Sequence, residues 1–225
     1  MPFRYPVALD LSGRRCVVTG GGAEAERKAR ALLEAEADVA VIAPSVTDGL
    51  RDLVRRGELT HIPRRYERGD LSGAFLAIAT DPDRALRAEV FAEAEAGRVL
   101  CNAVDDVEHC HFAVPSIVRR GELLVAISTG GRAPALAKRL RRRLTAELGW
   151  EWEALVDVLG EVRAETLPAR TVDFATWAAR WKAVLEREEE LLDLLREGRI
   201  EEVRTLVYNA LKPATTSAHF SGSVR

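Results

Sequence analysis

Arg15-Cys16-Val17-Val18-Thr19-Gly20-Gly21-Gly22-Ala23-Glu24-Ala25-Glu26-Arg27-Lys28 is the stretch whose reading decides the fold. Cys16, Val17 and Val18 make a short apolar run, three glycines follow at once, and residues 23–37 are rich in Ala, Leu, Glu, Arg and Lys. Strand, glycine turn, helix is the order that a phosphate-cradling site needs. Glycines let the backbone turn tightly and leave no side chain between it and a ligand. The helix start then offers free N–H groups and the positive end of its dipole. The spacing G-x-G-x-x-A, through Gly20, Gly22 and Ala25, fits the dinucleotide fingerprint. An ordinary tight turn can also use such a cluster, so its context has to decide.

Outward from this stretch, the context is a βα repeat. Val39-Ala40-Val41-Ile42-Ala43 reads as a second strand, residues 46–56 as a short helix and Leu59-Thr60-His61-Ile62 as a third strand. Residues 66–71 read as a polar loop. Phe75-Leu76-Ala77-Ile78-Ala79 is an apolar run of buried-strand length, and Pro82 suits the first turn of a helix running to about Glu95. Val99-Leu100-Cys101-Asn102-Ala103-Val104 is the next strand. Alternation of this kind predicts an α/β fold, a Rossmann-like, doubly wound, mostly parallel sheet. The pattern then changes. Residues 112–120 and 123–128 are β-rich runs about Gly121-Glu122 and predict a hairpin. Pro134 opens a helix over residues 135–148, stopped by Gly149. Residues 150–211 read as helical, with helices at about 174–195 and 201–211. The expected organisation is a dinucleotide-binding domain (1–113), a hairpin-and-helix region (114–149), an α-helical C-terminal domain (150–212) and a disordered tail (213–225).

Composition narrows the classes. The 225 residues are 47% hydrophobic and 30% charged, an ordinary balance for a soluble chain, and the net charge of −2 gives no global attraction to nucleic acid or anionic membrane. No apolar run is long enough to span a bilayer, and residues 1–10 lack the regions of a signal peptide. Three scattered cysteines, Cys16, Cys101 and Cys110, argue against a disulfide framework and fit a reducing cytoplasm.

Candidate chemistry sits at strand ends. Thr80-Asp81 closes one predicted strand, and Asn102 and Asp105-Asp106 close the next. Ligands of open α/β sheets bind at these carboxyl ends, so the glycine loop, Thr80 and Asp105 are expected to face one crevice. An aspartate there can equally be a helix cap or turn residue. The acid that usually follows the second strand to hold the ribose is absent; Pro44, Ser45 and Thr47 stand there, which leaves NAD and NADP open. His109 and His111 would share a face if they lie on a strand and are weak metal candidates; spacing alone favours plain strand-edge residues, and no metal ligand is assigned. Arg132, Lys138, Arg139, Arg141, Arg142 and Arg143 form a basic block, either a solvated helix face or a polyanion site. It has no interleaved aromatics, which counts against nucleic acid.

These motifs together resemble the precorrin-2 dehydrogenase / sirohydrochlorin ferrochelatase family, the N-terminal module of siroheme synthases. The resemblance is carried by V-V-T-G-G-G-A-E-A-E-R-K (17–28), V-I-A-P (41–44), A-I-A-T-D (77–81), C-N-A-V-D-D (101–106), C-H-F-A-V-P (110–115) and I-S-T-G-G-R-A-P-A-L-A-K-R-L-R (127–141). It covers about the first two-thirds of the chain; the helical third matches in character only. The resemblance implies oxidation of precorrin-2 to sirohydrochlorin with NAD as hydride acceptor, and in some members insertion of Fe2+ as a second step. It implies Asp105 as catalytic base. It implies cofactor contacts at Gly20, Gly21, Gly22, Ala23, Glu24, Pro44, Ser45, Thr80, Asp81, Asn102 and Val104. A tetrapyrrole polycarboxylate would meet Ser128, Thr129, Gly130, Arg132 and Arg139. A homodimer through the hairpin region and the following helix is also implied. The chain departs from many members in having Leu86-Arg87 in place of an Asn and Ala133 in place of a Ser. No C-terminal methyltransferase domain follows, so uroporphyrinogen methylation is expected from a separate protein. The competing reading is an NAD(H)-sensing regulatory module that catalyses nothing.

Overall fold

The computed structural model describes residues 5–168 and 172–212. They fall into two compact units, divided between Val114 and Pro115. The expected tail, 213–225, lies outside the described residues.

The first unit is a five-stranded parallel sheet in the order β3-β2-β1-β4-β5. Its strands are β1 (Arg15–Thr19), β2 (Asp38–Ile42), β3 (Thr60–Ile62), β4 (Leu76–Ala79) and β5 (Leu100–Ala103). Helices α1 (Ala23–Leu33), α2 (Asp48–Arg55) and α3 (Arg84–Gly97) connect them. Cys16 to Thr19 are all buried, as expected of a strand covered on both faces. Alternate residues serve opposite layers: Cys16 and Val18 join Ala25, Ala29 and Leu32 of α1 and Leu50 and Leu53 of α2. Val17, Ala77 and Ala79 join Val90 and Ala94 of α3. The strand order reverses between β1 and β4. That switch point opens a crevice at the carboxyl ends of these two strands, where Gly20 and Thr80 stand.

The second unit begins with the antiparallel hairpin β6 (Ser116–Arg120) and β7 (Leu123–Ile127) and the helix α4 (Pro134–Glu147), which packs on it. Helices α5 (Glu151–Thr166), α6 (Phe174–Leu185), α7 (Glu188–Arg196) and α8 (Ile200–Leu211) share one core, including Leu155, Val162, Leu191, Leu195 and Val207.

Three expectations are corrected. The helix expected at 174–195 is two helices, because α7 buries Leu191, Leu192, Leu194 and Leu195. These four lie on one face of α7, which it turns against both α5 and α8. Pro82 is not in the first turn of α3; Asp83 caps that helix, its side chain accepting from the Ala85 N–H at 2.9 Å. The strand expected from residue 112 begins only at Ser116, so His109, Cys110 and His111 lie on no strand of the hairpin. His109 closes a short 3-10 turn, Val107–His109, and Cys110 forms a lone bridge to Asn102.

Leu195 is fully buried in the helical core. Leu195→Ala is expected to lower unfolding stability by about 2–5 kcal/mol, read from urea denaturation followed by circular dichroism. A loss too small to measure would mean that the helices pack otherwise.

Candidate functional site

The site is built from the turn that leaves β1. Gly20 adopts φ 97°, a left-handed conformation that suits glycine. A side chain on Gly20 would run into the Thr80 hydroxyl, and one on Gly21 into the Ser45 carbonyl and the Ala43 methyl. Two hydrogen bonds hold this contact: Gly20 N–H to the Ile42 carbonyl at 3.0 Å and Thr47 N–H to the Gly21 carbonyl at 3.0 Å. Thr80 is tied to the same place, its hydroxyl donating to the Thr19 carbonyl at 2.7 Å. Gly22 is different. It is the N-cap of α1, its backbone is extended, no side chain among the described residues caps the helix there, and a Cβ on it would meet nothing within 4 Å. Of the other helices, α2, α3 and α6 have a side-chain cap, from Thr47, Asp83 and Asp173, and α4, α5, α7 and α8 have none. The first amides of α1 therefore face open space with the dipole behind them, the arrangement that receives a pyrophosphate.

The other expected contacts lie as follows. Pro44 and Ser45 are exposed at the end of β2. Asp81 accepts from the Asp83 N–H at 2.9 Å, a turn role. Asn102 is buried, its amide donating to the Phe112 carbonyl at 2.9 Å, and Val104 follows β5, its N–H bonded to the Ala79 carbonyl at 2.9 Å. Asp105 comes next, exposed, at φ 58°. Among the described residues its carboxylate has no hydrogen bond and no ion pair. Left-handed backbone at a residue other than glycine costs on the order of 1 kcal/mol and persists only where its surroundings impose it.

Those surroundings join Asp106 and His109, both singled out in the sequence, to Arg84, Arg87 and Lys28, for which no site role was expected. Asp106 is buried, and its Oδ2 accepts from His109 Nδ1 at 2.9 Å and Arg84 Nε at 3.2 Å, with Arg87 Nε at 3.9 Å. Its hydrogen bond to His109 and the nearby arginine hold its carboxyl below the usual aspartate range. Lys28, three residues beyond Ala25 of the fingerprint, is also buried, and desolvation pushes its ammonium pKa down against the pull of Glu24, 3.9 Å away, and of Asp105. Its spacing from Ala25 was the available signal, since it falls on the inward face of α1 with Ala25, Ala29 and Leu32. His109 and His111 flank Phe91, with ring centroids at 5.4 and 4.8 Å. His109 is held by Asp106, while His111 bonds the Cys101 N–H at 2.9 Å and the Glu95 carboxylate. Among the described residues no group of three or more His, Cys, Asp and Glu is placed to hold a metal ion. Burial pushes the Cys16 thiol up to about 11 and the Cys101 thiol up to about 12, so neither is a ready nucleophile.

The remaining expected residues belong to the second unit. Ser128 and Thr129 use their hydroxyls on the turn itself, accepting from Gly130 N–H at 3.1 Å and Ala133 N–H at 3.2 Å. Arg132 and Arg139 are exposed before and on α4. A shallow depression of about 690 Å3 in the first unit is lined by Arg14, Arg15, Leu71, Phe75 and Glu93. It lies by the amino ends of β1 and β4, the edge away from the glycine turn, and ligands of such sheets bind at the other edge.

Comparison with known proteins fits this geometry. Residues 7–116 match the NAD(P)-binding family model and residues 120–147 match that of the sirohaem biosynthesis protein central region. Siroheme synthase of Photobacterium profundum is 38% identical over 182 residues, which are 80% of this chain and 38% of that protein. Over these residues this chain is similar to the siroheme synthases. Siroheme synthase of Chromobacterium violaceum is 39% identical over 182 residues, 81% of this chain and 38% of that protein. The chain thus spans well under half the length of these curated siroheme synthases. A solved structure entitled "SirC, precorrin-2 dehydrogenase" superposes with a TM-score of 0.66 at 23% identity, covering 92% of this chain and 98% of that one, and shares the fold. No helix among the described residues is long and apolar enough to cross a membrane.

Gly22→Val separates ligand space from fold. The extended backbone accepts a side chain and a Cβ there meets nothing within 4 Å, so the fold is expected to survive, its melting temperature lowered by a few degrees at most for the poorer N-cap, while NAD+ affinity falls by about tenfold or more, measured by calorimetric titration. Unchanged affinity would place the dinucleotide elsewhere.

Proposed function

We propose that this chain oxidises precorrin-2 to sirohydrochlorin with NAD+ as acceptor, in the cytoplasm. NAD fits the residues present: a glycine turn with no room for side chains at Gly20 and Gly21, an uncapped helix start beside it, and an exposed segment at Pro44 and Ser45. The bound nicotinamide would supply the hydride acceptor. The chain's own part is to hold the pyrophosphate on the amides of α1, to seat the ribose on backbone near Ser45, and to take a proton. Asp105 is the residue for the last task. One observation carries the reading: an exposed carboxylate, without partner among the described residues, is presented by a left-handed turn at the end of β5 of a dinucleotide fold.

Arg132 and Arg139 are the groups that would clamp substrate carboxylates, because a guanidinium fork matches a carboxylate in two hydrogen bonds. The same Asp105 would serve insertion of Fe2+ as substrate, since the pyrrole nitrogens lose protons as the metal enters. Two copies of the chain would pair through the hairpin and α4, within residues 114–149. A dinucleotide sensor, the competing reading, has no use for a lone carboxylate at this point.

Asp105→Asn keeps the shape and removes the base. Turnover of precorrin-2 is expected to fall by about 10²–10⁴-fold with NAD+ binding intact, read by absorbance under anaerobic conditions. Wild-type turnover in this variant would remove Asp105 from the chemistry.

A further inference from the structure

We infer that Asp106 is a positioning residue for Asp105, acting through the turn they share. The inference rests on the reading of Asp105 as base and names what aims it. Asp105 sits in left-handed backbone, and among the described residues its side chain makes no hydrogen bond or ion pair that would hold it there. The turn is fixed on either side instead. Before it, Val104 N–H is bonded to the Ala79 carbonyl of β4 at 2.9 Å. After it, Asp106 N–H is bonded to the Ala103 carbonyl at 3.2 Å, and Cys110 Sγ donates to the carbonyls of Ala103 at 3.1 Å and Asp106 at 3.2 Å.

The Asp106 side chain adds the charged part of this restraint. It is 4% exposed, too buried to meet a macrocycle, and is surrounded by three basic groups from two other segments. His109 comes from the following turn, and Arg84 and Arg87 from α3. Arg87 is central. Its Nη1 donates to the carbonyls of Asp81 at 2.7 Å and Pro82 at 3.2 Å, beyond the end of β4. Its Nε is buried, has no hydrogen bond, and points its charge at Asp106 from 3.9 Å. One side chain thus joins the carboxyl ends of β4 and β5, the two strand ends that border the crevice on this side. Arg84 is shared with Glu108, at 2.9 Å, which ties the 3-10 turn into the same network. An uncompensated buried carboxylate would be costly, so Asp106 and its partners hold one arrangement together, and the direction of the Asp105 carboxylate is set with it.

The test is a double-variant cycle on NAD+-dependent oxidation of precorrin-2. Asp106→Asn is expected to lower kcat by about 10²-fold, the loss that a misplaced catalytic group brings, with KM and NAD+ affinity unchanged. Asp105→Asn with Asp106→Asn should be no slower than Asp105→Asn alone, because a residue that acts through Asp105 has nothing left to position. A residue with a merely structural role would add its loss to that of Asp105→Asn. Wild-type kcat in Asp106→Asn, or additive losses in the double variant, would overturn the inference. Wild-type kcat in Asp105→Asn would overturn the reading beneath it, a distinct result. If Asp106→Asn does not fold, Arg87→Met and Arg84→Met each remove one partner and leave the carboxylate. A kcat loss in them that vanishes in the Asp105→Asn background supports the inference, and no loss overturns it.

Discussion

The close approach of Gly21 to the Ser45 carbonyl is the constraint on which the first unit depends. It leaves no room for a side chain at Gly21, brings the end of β2 over the β1 turn, and lets Thr47 both bond the Gly21 carbonyl and cap α2. Glu26 reinforces the junction from α1 by accepting from the Thr47 hydroxyl at 2.6 Å and from Arg30. With the turn locked in this way, the start of α1 is left uncapped and open. An enzyme gains from such a helix end only if something anionic completes it. The packing of β1 against β2 and β4 and the opening of the nucleotide site are two results of one contact.

A second constraint lies across the switch point. The turn after β5 is fixed by backbone bonds to β4 and by a buried carboxylate among basic side chains, while the neighbouring carboxylate is left exposed. The roles proposed for Asp105 and Asp106 accord with their different burial and contacts. Among the described residues, Asp105 makes no hydrogen bond or ion pair and is exposed, whereas Asp106 is buried among His109, Arg84 and Arg87. In the second unit, the exposed basic residues before and on α4 complement a ligand rich in carboxylates, which is the chemistry proposed for the substrate.

Much of this was legible in the residues. Runs such as Cys16 to Val18 and Leu76 to Ala79 are apolar because both faces of a central parallel strand are covered, so their pattern announces the sheet. The glycine cluster announced the tight turn after β1, since Gly20 is required by its conformation and Gly21 by close approach. Other features were not legible because they depend on groups distant in sequence. The pairing of Asp106 with Arg84 and Arg87 spans about twenty residues of helix and strand, and nothing local distinguishes those arginines from solvated ones. The break between α6 and α7 has no glycine or proline to mark it and follows from the burial of four leucines. At Pro82 two helix-start signals competed, and the capping side chain of Asp83 set the boundary. The segment at His109 looked extended, but the bonds of Cys110 and Asp106 fold it into a turn.

The central claim is that the dinucleotide held at the Gly20–Gly22 turn is consumed in oxidising a tetrapyrrole. Its most direct measurement is the stoichiometry of NADH formed on mixing the unmodified chain with NAD+ and precorrin-2 in the absence of oxygen and metal. The account predicts that NADH and sirohydrochlorin appear together in equal amounts over repeated turnovers. Binding of NAD+ with no NADH formed would contradict it and leave a sensor in place of an enzyme.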